Sequence, residues 1–182
     1  MASSKIALEP LTKAAFRSFG DVIERDPLGC YETNDGEALR HHDLARIDVT
    51  AAGGRVAVSI FQVMIAATLP FPLRLMERHP ISSQAFVPLG PSEFVVVVAP
   101  RARQPSPENL RAFLASAGQG INLHAGVWHH PLIALTSCDF LVLDRTLTGD
   151  PRDQDYEEIR LETERISIVR RRTRHPADCL EP

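Results

Sequence analysis

Short apolar stretches separated by turn-forming residues run through most of the chain and predict a protein built mainly of β-strands. Phe94 to Ala99 is continuously apolar, which is typical of a strand buried on both faces. The other strand-like runs are Arg55 to Val63, Gln84 to Leu89, two pieces around Gly126 between Ile121 and Leu135, and Phe140 to Asp144. Strands this short and closely spaced favour a barrel or sandwich over a fold that alternates strands and helices.

Two short helices are also predicted. Thr12 can cap a helix that ends before Gly20, with Leu11 and Phe16 at the spacing of a hydrophobic staple. The second helix would start at the Ser106 cap, with Pro107 in its first turn. Its apolar face and its end would be formed by Leu110, Phe113, Leu114, Ala117 and Gly118. The polar stretches 26–36, 101–107 and 147–155 are interpreted as surface loops.

Length and composition indicate a single globular domain. A chain of 182 residues with 44% hydrophobic and 24% charged residues can bury a core of its own. The net charge of -3 gives no basic surface for nucleic acid, and the longest apolar run is far below the roughly 20 residues that cross a bilayer. We therefore expect neither nucleic acid nor membrane as a partner.

Cysteine usage and the N-terminus favour a cytoplasmic protein. Cys30, Cys138 and Cys179 are odd in number and form no CxxC pair, so we expect free thiols in a reducing compartment. The first eight residues carry too short an apolar patch for a signal peptide.

The first cluster of chemically active residues is Glu77-Arg78-His79-Pro80, followed by Gln84. Residues two apart on a strand share a face, so Glu77 and His79 should point the same way. A carboxylate and an imidazole that converge can form either a metal site or an acid–base pair.

The second cluster surrounds Gly126. A glycine between His124 and His129 permits a bend that can bring both imidazoles toward one cavity, and of His129 and His130 only one can face inward on a strand. A lone histidine on an apolar strand is usually a hydrogen-bonded core residue. Two clusters together favour function, because burying several ionisable groups is costly unless they are paired or bind something.

These spacings resemble the two motifs of the cupin superfamily. Glu77, His79 and Gln84 stand at the two histidines and the glutamate of the first motif, and His124-x-Gly126-x-x-His129 resembles the second. The resemblance implies a metal-ligand set of Glu77, His79, Gln84 and His129. In this chain a glutamate replaces the first histidine of the motif, and a glutamine replaces its glutamate. These two replacements argue against iron-type oxygenase chemistry and favour weak or exchangeable metal binding.

Longer stretches resemble the ureidoglycolate lyase family in particular, in the family's order from about Leu8 to Glu158. They are Asn34 with Gly36, Arg40 to Ala45, Met76 to Pro80, Gln84 to Leu89, Val95 to Ala99, Gly120 to His124, Gly126 to Leu132, and Asp144-Arg145. Leu123 and Ala125 depart from the aromatic and basic residues that the family tends to carry. Residues 166–182, which include the basic run Arg170 to His175, lie beyond the resemblance as a tail of the single domain 1–182.

The resemblance implies an all-β fold, a cupin-type double-stranded β-helix or jelly-roll barrel. It also implies a homodimeric lyase of allantoin and purine breakdown that cleaves ureidoglycolate to glyoxylate and urea, with nickel as the suspected divalent metal. Glu77, His79 and His129 would form the catalytic centre, and His124 is our choice for the acid. Gln84 would lie at the rim of the centre, where it is expected to bind the substrate as well as the metal.

Arg40 or Arg145 is expected to hold the substrate carboxylate, because a guanidinium pairs with it in a bidentate way. Two alternatives stay open: another cupin enzyme of small acids, either an isomerase or a dioxygenase, and a cupin that binds a ligand without turning it over.

Overall fold

The computed structural model describes residues 3–101, 103–150, 155–161 and 165–171. Its only regular helix in these ranges is α1 (Lys13–Phe16), where the Thr12 side chain accepts a hydrogen bond from the Ala15 amide as expected. The strands are β1 (Ser3–Pro10), β2 (Gly20–Ile23), β3 (Cys30–Thr33), β4 (Ala38–His41), β5 (Arg55–Gln62), β6 (Phe71–Leu73), β7 (Leu75–Arg78), β8 (Gln84–Pro88), β9 (Phe94–Ala99), β10 (Arg111–Ala115), β11 (Gly120–Leu123), β12 (Trp128–His129), β13 (Ile133–Ala134), β14 (Asp139–Thr146), β15 (Glu157–Arg160) and β16 (Arg165–Val169).

Two curled sheets enclose the interior of the barrel. One has nine strands in the order β15-β7-β12-β9-β10-β1-β16-β6, with β13 paired to β9, and the other has five in the order β2-β11-β8-β14-β5. A separate hairpin of β3 and β4 lies within the stretch 26–36 and beyond it, so that stretch is not wholly a loop. The predicted all-β cupin-type barrel is confirmed.

Alternation along β9 explains why this strand is apolar throughout. Phe94, Val96 and Val98 point into the core between the two sheets, while Val95, Val97 and Ala99 point into a second core on the other face of the nine-stranded sheet. A strand that separates two cores needs apolar side chains on both faces.

The predicted helix from Ser106 to Ala117 is wrong. Ser106 starts only a single turn, in which the Asn109 and Leu110 amides both donate to its carbonyl oxygen, and the chain then continues as β10. Ala112 packs in the outer core and Phe113 in the inner one, so β10 also separates two cores. A strand that is apolar on both faces is readily mistaken for the apolar stripe of a helix.

Strand β16 belongs to the nine-stranded sheet. It pairs with β1 and β6 and continues to Val169, so residues 166–169, which lie beyond the sequence resemblance, are part of the sheet. Most of the basic run from Arg170 to His175 lies outside the described residues, as does Cys179.

The interior of the barrel has an apolar end and a polar end. At the apolar end, Phe94 of β9 meets Phe140 of β14 with ring centroids 5.3 Å apart. The polar end lies four residues further along each of these strands. On β9 the residue there is Val98, which is paired with His129. On β14 it is Asp144, which lies next to Gln84 of β8. The polar end therefore consists of side chains from both sheets: Glu77, His79, Gln84, His129 and Asp144.

Candidate active site

Strands β7 and β12 bring three predicted residues together. His129 is the register partner of Glu77, and the ring of His79, just after β7, stacks on the His129 ring with centroids 5.6 Å apart. One nitrogen from each imidazole and one carboxylate oxygen of Glu77 all lie within 4.8 Å of one another. We call Glu77, His79 and His129 the triad.

The backbone orients both imidazoles. His79 Nδ1 lies 2.8 Å from the carbonyl oxygen of Asp155, and His129 Nδ1 lies 3.0 Å from that of Val127. Because a carbonyl oxygen can only accept, each Nδ1 carries a proton, and Nε2 is the nitrogen of each ring that is directed at the shared point of the triad. Both Nε2 atoms are buried without a hydrogen-bond partner.

The electrostatics keep the carboxylate ionised and His79 neutral. Burial raises the pKa of Glu77, but its contacts with His129 and His79 lower it more, and the net pKa is below the usual value. Burial lowers the pKa of His79, and the neighbouring His129 adds to this. The Oε1 of Glu77 lies 3.4 Å from Nε2 of His129, too far to satisfy that nitrogen.

These residues fit a divalent metal ion. Two imidazole nitrogens and a carboxylate oxygen are a common donor set, and an Nδ1–H bond to a carbonyl is how metal-binding histidines are usually held. The buried, unpartnered Nε2 atoms are the observation that supports this, since such atoms are costly unless something binds them. Gln84, the fourth predicted ligand, also has a buried Oε1 without a partner.

Asp144 is a site residue that sequence reasoning missed. It is 5% exposed beside Gln84, interacts with His79, and has a pKa raised by burial. The pair Asp144-Arg145 was noted, but only the arginine was assigned a role. Strand alternation places Asp144 on the same face as the core residue Val142, and this signal was available in the sequence.

Segment 155–161 also contributes unpredicted residues. The carboxylate of Asp155 accepts hydrogen bonds from the Ile81 amide and the Ser82 hydroxyl. These bonds fix the position of Asp155, whose backbone carbonyl oxygen contacts Nδ1 of His79. The Tyr156 ring lies 6.1 Å from the His79 ring, and its hydroxyl donates to Glu158 at 2.8 Å. Burial and the nearby carboxylates raise the pKa of Tyr156, so it stays protonated.

His124 lies on a different surface from the triad. The bend at Gly126 forms as predicted, with φ of +75°, but the His124 side chain is 41% exposed and lies 3.5 Å from Asp21. It lines an outer cleft of about 470 Å³ together with Arg17, Arg46 and Arg101. No triad residue is among the described residues that line this cleft, so the acid role of His124 stays a prediction.

The two arginines proposed for the carboxylate are both directed elsewhere. Arg40 lies on the exposed β3–β4 hairpin, with its guanidinium 6.0 Å from the Tyr31 ring. Arg145 is buried, but it faces away from Asp144 and donates to the carbonyl oxygens of Ala51 and Ala52 at 3.0 and 3.3 Å. Their binding roles stay predictions, and no described contact joins either one to the triad.

The adjacent histidines behave as the alternation rule requires. His129 is 2% exposed inside the barrel, whereas the His130 ring packs edge-on against Phe71 at 5.3 Å on the opposite side. Burial lowers the pKa of His130, and its Nδ1 bonds the Pro131 carbonyl oxygen.

The fold and the site together define a cupin-type barrel with a candidate metal or acid–base centre in its interior. The model of the family "Ureidoglycolate lyase" matches residues 3–168, and the chain belongs to that family. A ureidoglycolate lyase of Azotobacter vinelandii is 46% identical over 154 residues, which cover 83% of this chain and 91% of the relative. One from Burkholderia mallei is 48% identical over 155 residues, covering 85% and 89%. One from Stutzerimonas stutzeri is 40% identical over 167 residues, covering 89% and 98%.

Across the described residues, no helix is both long and apolar enough to cross a membrane.

Proposed function

We propose that this chain cleaves ureidoglycolate to glyoxylate and urea at the polar end of its barrel. The observation that carries the proposal is the triad itself: a carboxylate and two imidazoles, largely buried, with their ligand atoms within 4.8 Å of one another. The family to which the chain belongs names the substrate.

The chemistry needs a base and an acid but no nucleophile. One carbon of ureidoglycolate bears a hydroxyl, a ureido nitrogen and a carboxylate. Removing the hydroxyl proton lets the C=O bond of glyoxylate form as the C–N bond breaks, and urea departs once its nitrogen gains a proton. Without a metal, Glu77 or His79 can serve directly as the base, and the lowered pKa of Glu77 keeps that carboxyl ionised. The same carboxyl can return the proton to nitrogen, and His124 is the alternative donor.

A divalent ion held by Glu77, His79 and His129, with Gln84 at the rim, is part of the proposal, and nickel is suggested by the family resemblance. Such an ion, when bound, polarises the substrate's oxygens and lowers the pKa of its hydroxyl. The contribution of the chain is to present two Nε2 lone pairs whose rings are fixed by the Asp155 and Val127 carbonyls.

The direct test is an assay of the purified protein with ureidoglycolate, with and without a chelator. We expect glyoxylate and urea in equal amounts, no oxygen consumption, and restoration of any chelator-sensitive activity by nickel. Ammonia in place of urea would indicate hydrolysis of the ureido group instead. Saturable binding without products would contradict the lyase function and favour a ligand-binding cupin.

We further propose a homodimer that forms through β5. This strand is the last of the five-stranded sheet, and among the described residues it pairs with β14 alone, which leaves its second edge without a described partner. Val56, Val58 and Ile60 are exposed along it, with Val58 at 66%. An open apolar edge invites a second strand, and a second copy of this chain can supply it by two-fold symmetry.

Light scattering of the eluting protein tests the dimer. Val58→Lys should shift the mass from two chains to one, because dimer formation would bury the charged lysine at a high cost in free energy. Leu28→Lys is the matched control, since Leu28 is fully exposed in the loop before β3. A wild-type protein that elutes as a monomer would contradict the proposal.

A cytoplasmic location is proposed as well. It is supported by Cys30 and Cys138, which are both free thiols. Cell fractionation checks it.

A further inference from the structure

Gln84 and Asp144 form a second wall of the polar end, on the five-stranded sheet. Leu143 is the register partner of Ala85, which places Asp144 next to Gln84 on the neighbouring strand. Each shares a face with a residue of the inner core, Phe86 for Gln84 and Val142 for Asp144. Both side chains are only 5% exposed, so they project into the barrel interior.

The polar atoms of this wall are mainly acceptors. Burial raises the pKa of the Asp144 carboxyl, and the neighbouring Gln84 amide opposes this in part, as an amide does when its Nε2 end faces a carboxylate. The Oε1 of Gln84 is then turned away from Asp144, and it is buried without a partner. Asp144 retains further lone pairs, and on the triad side it interacts with His79.

A buried wall of acceptors selects a ligand rich in N–H donors. The ureido group has three N–H bonds and one carbonyl oxygen, whereas the other half of ureidoglycolate carries a hydroxyl and a carboxylate. A carboxylate placed beside Asp144 would be repelled, but an N–H group would satisfy Gln84 Oε1 and the Asp144 carboxylate together.

We propose that Gln84 and Asp144 bind the ureido half of the substrate and thereby orient its acid half toward the triad. This inference rests on the proposed function. It assigns Gln84 to the substrate instead of to a metal, and it assigns a role to Asp144.

Binding measured by ligand-observed NMR tests the inference without requiring turnover. The probes are urea for the ureido half and glycolate for the acid half. In Gln84→Met and in Asp144→Asn, the affinity for urea should fall about tenfold, which corresponds to the loss of one buried hydrogen bond. The affinity for glycolate should be unchanged, and in the assay KM for ureidoglycolate should rise more than kcat falls.

Asn122→Leu is the matched control. Asn122 is another buried amide of the same sheet that bonds a carboxylate, Asp21 at 2.9 Å, but it points to the outer side of the barrel. Its variant should leave the ratio of urea to glycolate affinity as in the wild type, even where stability falls.

The outcomes separate the inference from the proposed function. Wild-type protein that turns over ureidoglycolate while both variants bind urea normally would overturn the inference alone. An equal loss of affinity for urea and for glycolate would also overturn it, because this result assigns the residues to the fold. A loss of nickel affinity in Gln84→Met with urea binding retained would overturn it too, because this result assigns Gln84 to the metal. Wild-type protein that binds urea without any turnover would overturn the proposed function and leave the wall as a ureido-binding surface.

Discussion

The two ends of the barrel interior are formed by the same strands but have opposite chemistry. At the apolar end, Phe94 and Phe140 meet edge to face and bury their rings completely. Four residues along the same two strands, Val98 is paired with His129, and Asp144 lies next to Gln84. At this polar end three buried atoms lack hydrogen-bond partners: Nε2 of His79, Nε2 of His129 and Oε1 of Gln84. One end stabilises the fold, and the other keeps polar groups unsatisfied until a ligand arrives.

This difference implies that stability and activity can be lost separately. Substitutions at the apolar end should reduce the free energy of unfolding and spare turnover, while substitutions at the polar end should do the reverse.

The largest effect is expected from Phe140→Ala at the apolar end. The ring is fully buried, so its removal leaves a cavity and should cost about 3–5 kcal/mol in the free energy of unfolding. Guanidinium unfolding measures the loss, and turnover per folded molecule should be unchanged. Phe61→Ala is the control, because Phe61 is 42% exposed on β5 and should lose far less. Equal losses would contradict the distinction between core and edge.

At the polar end, Glu77→Ala and His129→Ala should each reduce glyoxylate release by about a hundredfold or more, the usual contribution of an acid–base group. The reason is that each removes one of the three atoms that converge within 4.8 Å. Initial rates measure this, and circular dichroism checks that the fold is intact. His130→Ala, one residue away but on the opposite face, should keep nearly full activity. Normal turnover in both polar-end variants would remove the basis of the site.

The fold was largely predictable from the sequence because its strands are short and clearly bounded. The run Phe94 to Ala99 was predicted with the bounds that β9 has. The strand β10 was missed because it packs against two cores, and this leaves no alternation from which its period can be read. Burial on both faces is a property of the sheet arrangement, which local sequence does not contain.

The site was predictable from the sequence where the period of a strand or the two motifs place its residues. Glu77 and His79 share a face through the period of a strand, and their juxtaposition with His129 followed from the two motifs. Asp144 and Tyr156 come from β14 and the segment before β15, and only the sheet order brings them to the same place. For Arg145, the deciding fact was its orientation toward the Ala51 and Ala52 carbonyls, which no spacing in the sequence indicates.

A smaller effect at the polar end should appear in the pH dependence of stability. Burial raises the folded-state pKa of Asp144 above its ordinary value of 3.8. Between these two pKa values the folded chain holds more protons than the unfolded chain, so the contribution of Asp144 to stability falls as the pH rises through this window.

Asp144→Asn cannot titrate, so the free energy of unfolding of the variant relative to the wild type should increase from acid to neutral pH. Guanidinium unfolding at several pH values measures this difference. Asp139→Asn, which replaces an exposed aspartate at the start of the same strand, is measured alongside as the control. A difference that decreases with pH would show that Asp144 is ionised more readily in the folded chain.

The smallest effect is expected from His124→Gln. An acid for the leaving nitrogen would be worth about a hundredfold or more. The ring, however, is 41% exposed, faces Asp21, and lines the outer cleft with Arg17 and Arg101. From this position we expect kcat to fall by less than tenfold, with the shape of the wild-type pH profile preserved. Steady-state kinetics across neutral pH decide the question. A hundredfold loss that removes the alkaline limb of the profile would restore His124 as the acid and require the bend at Gly126 to bring it to the triad.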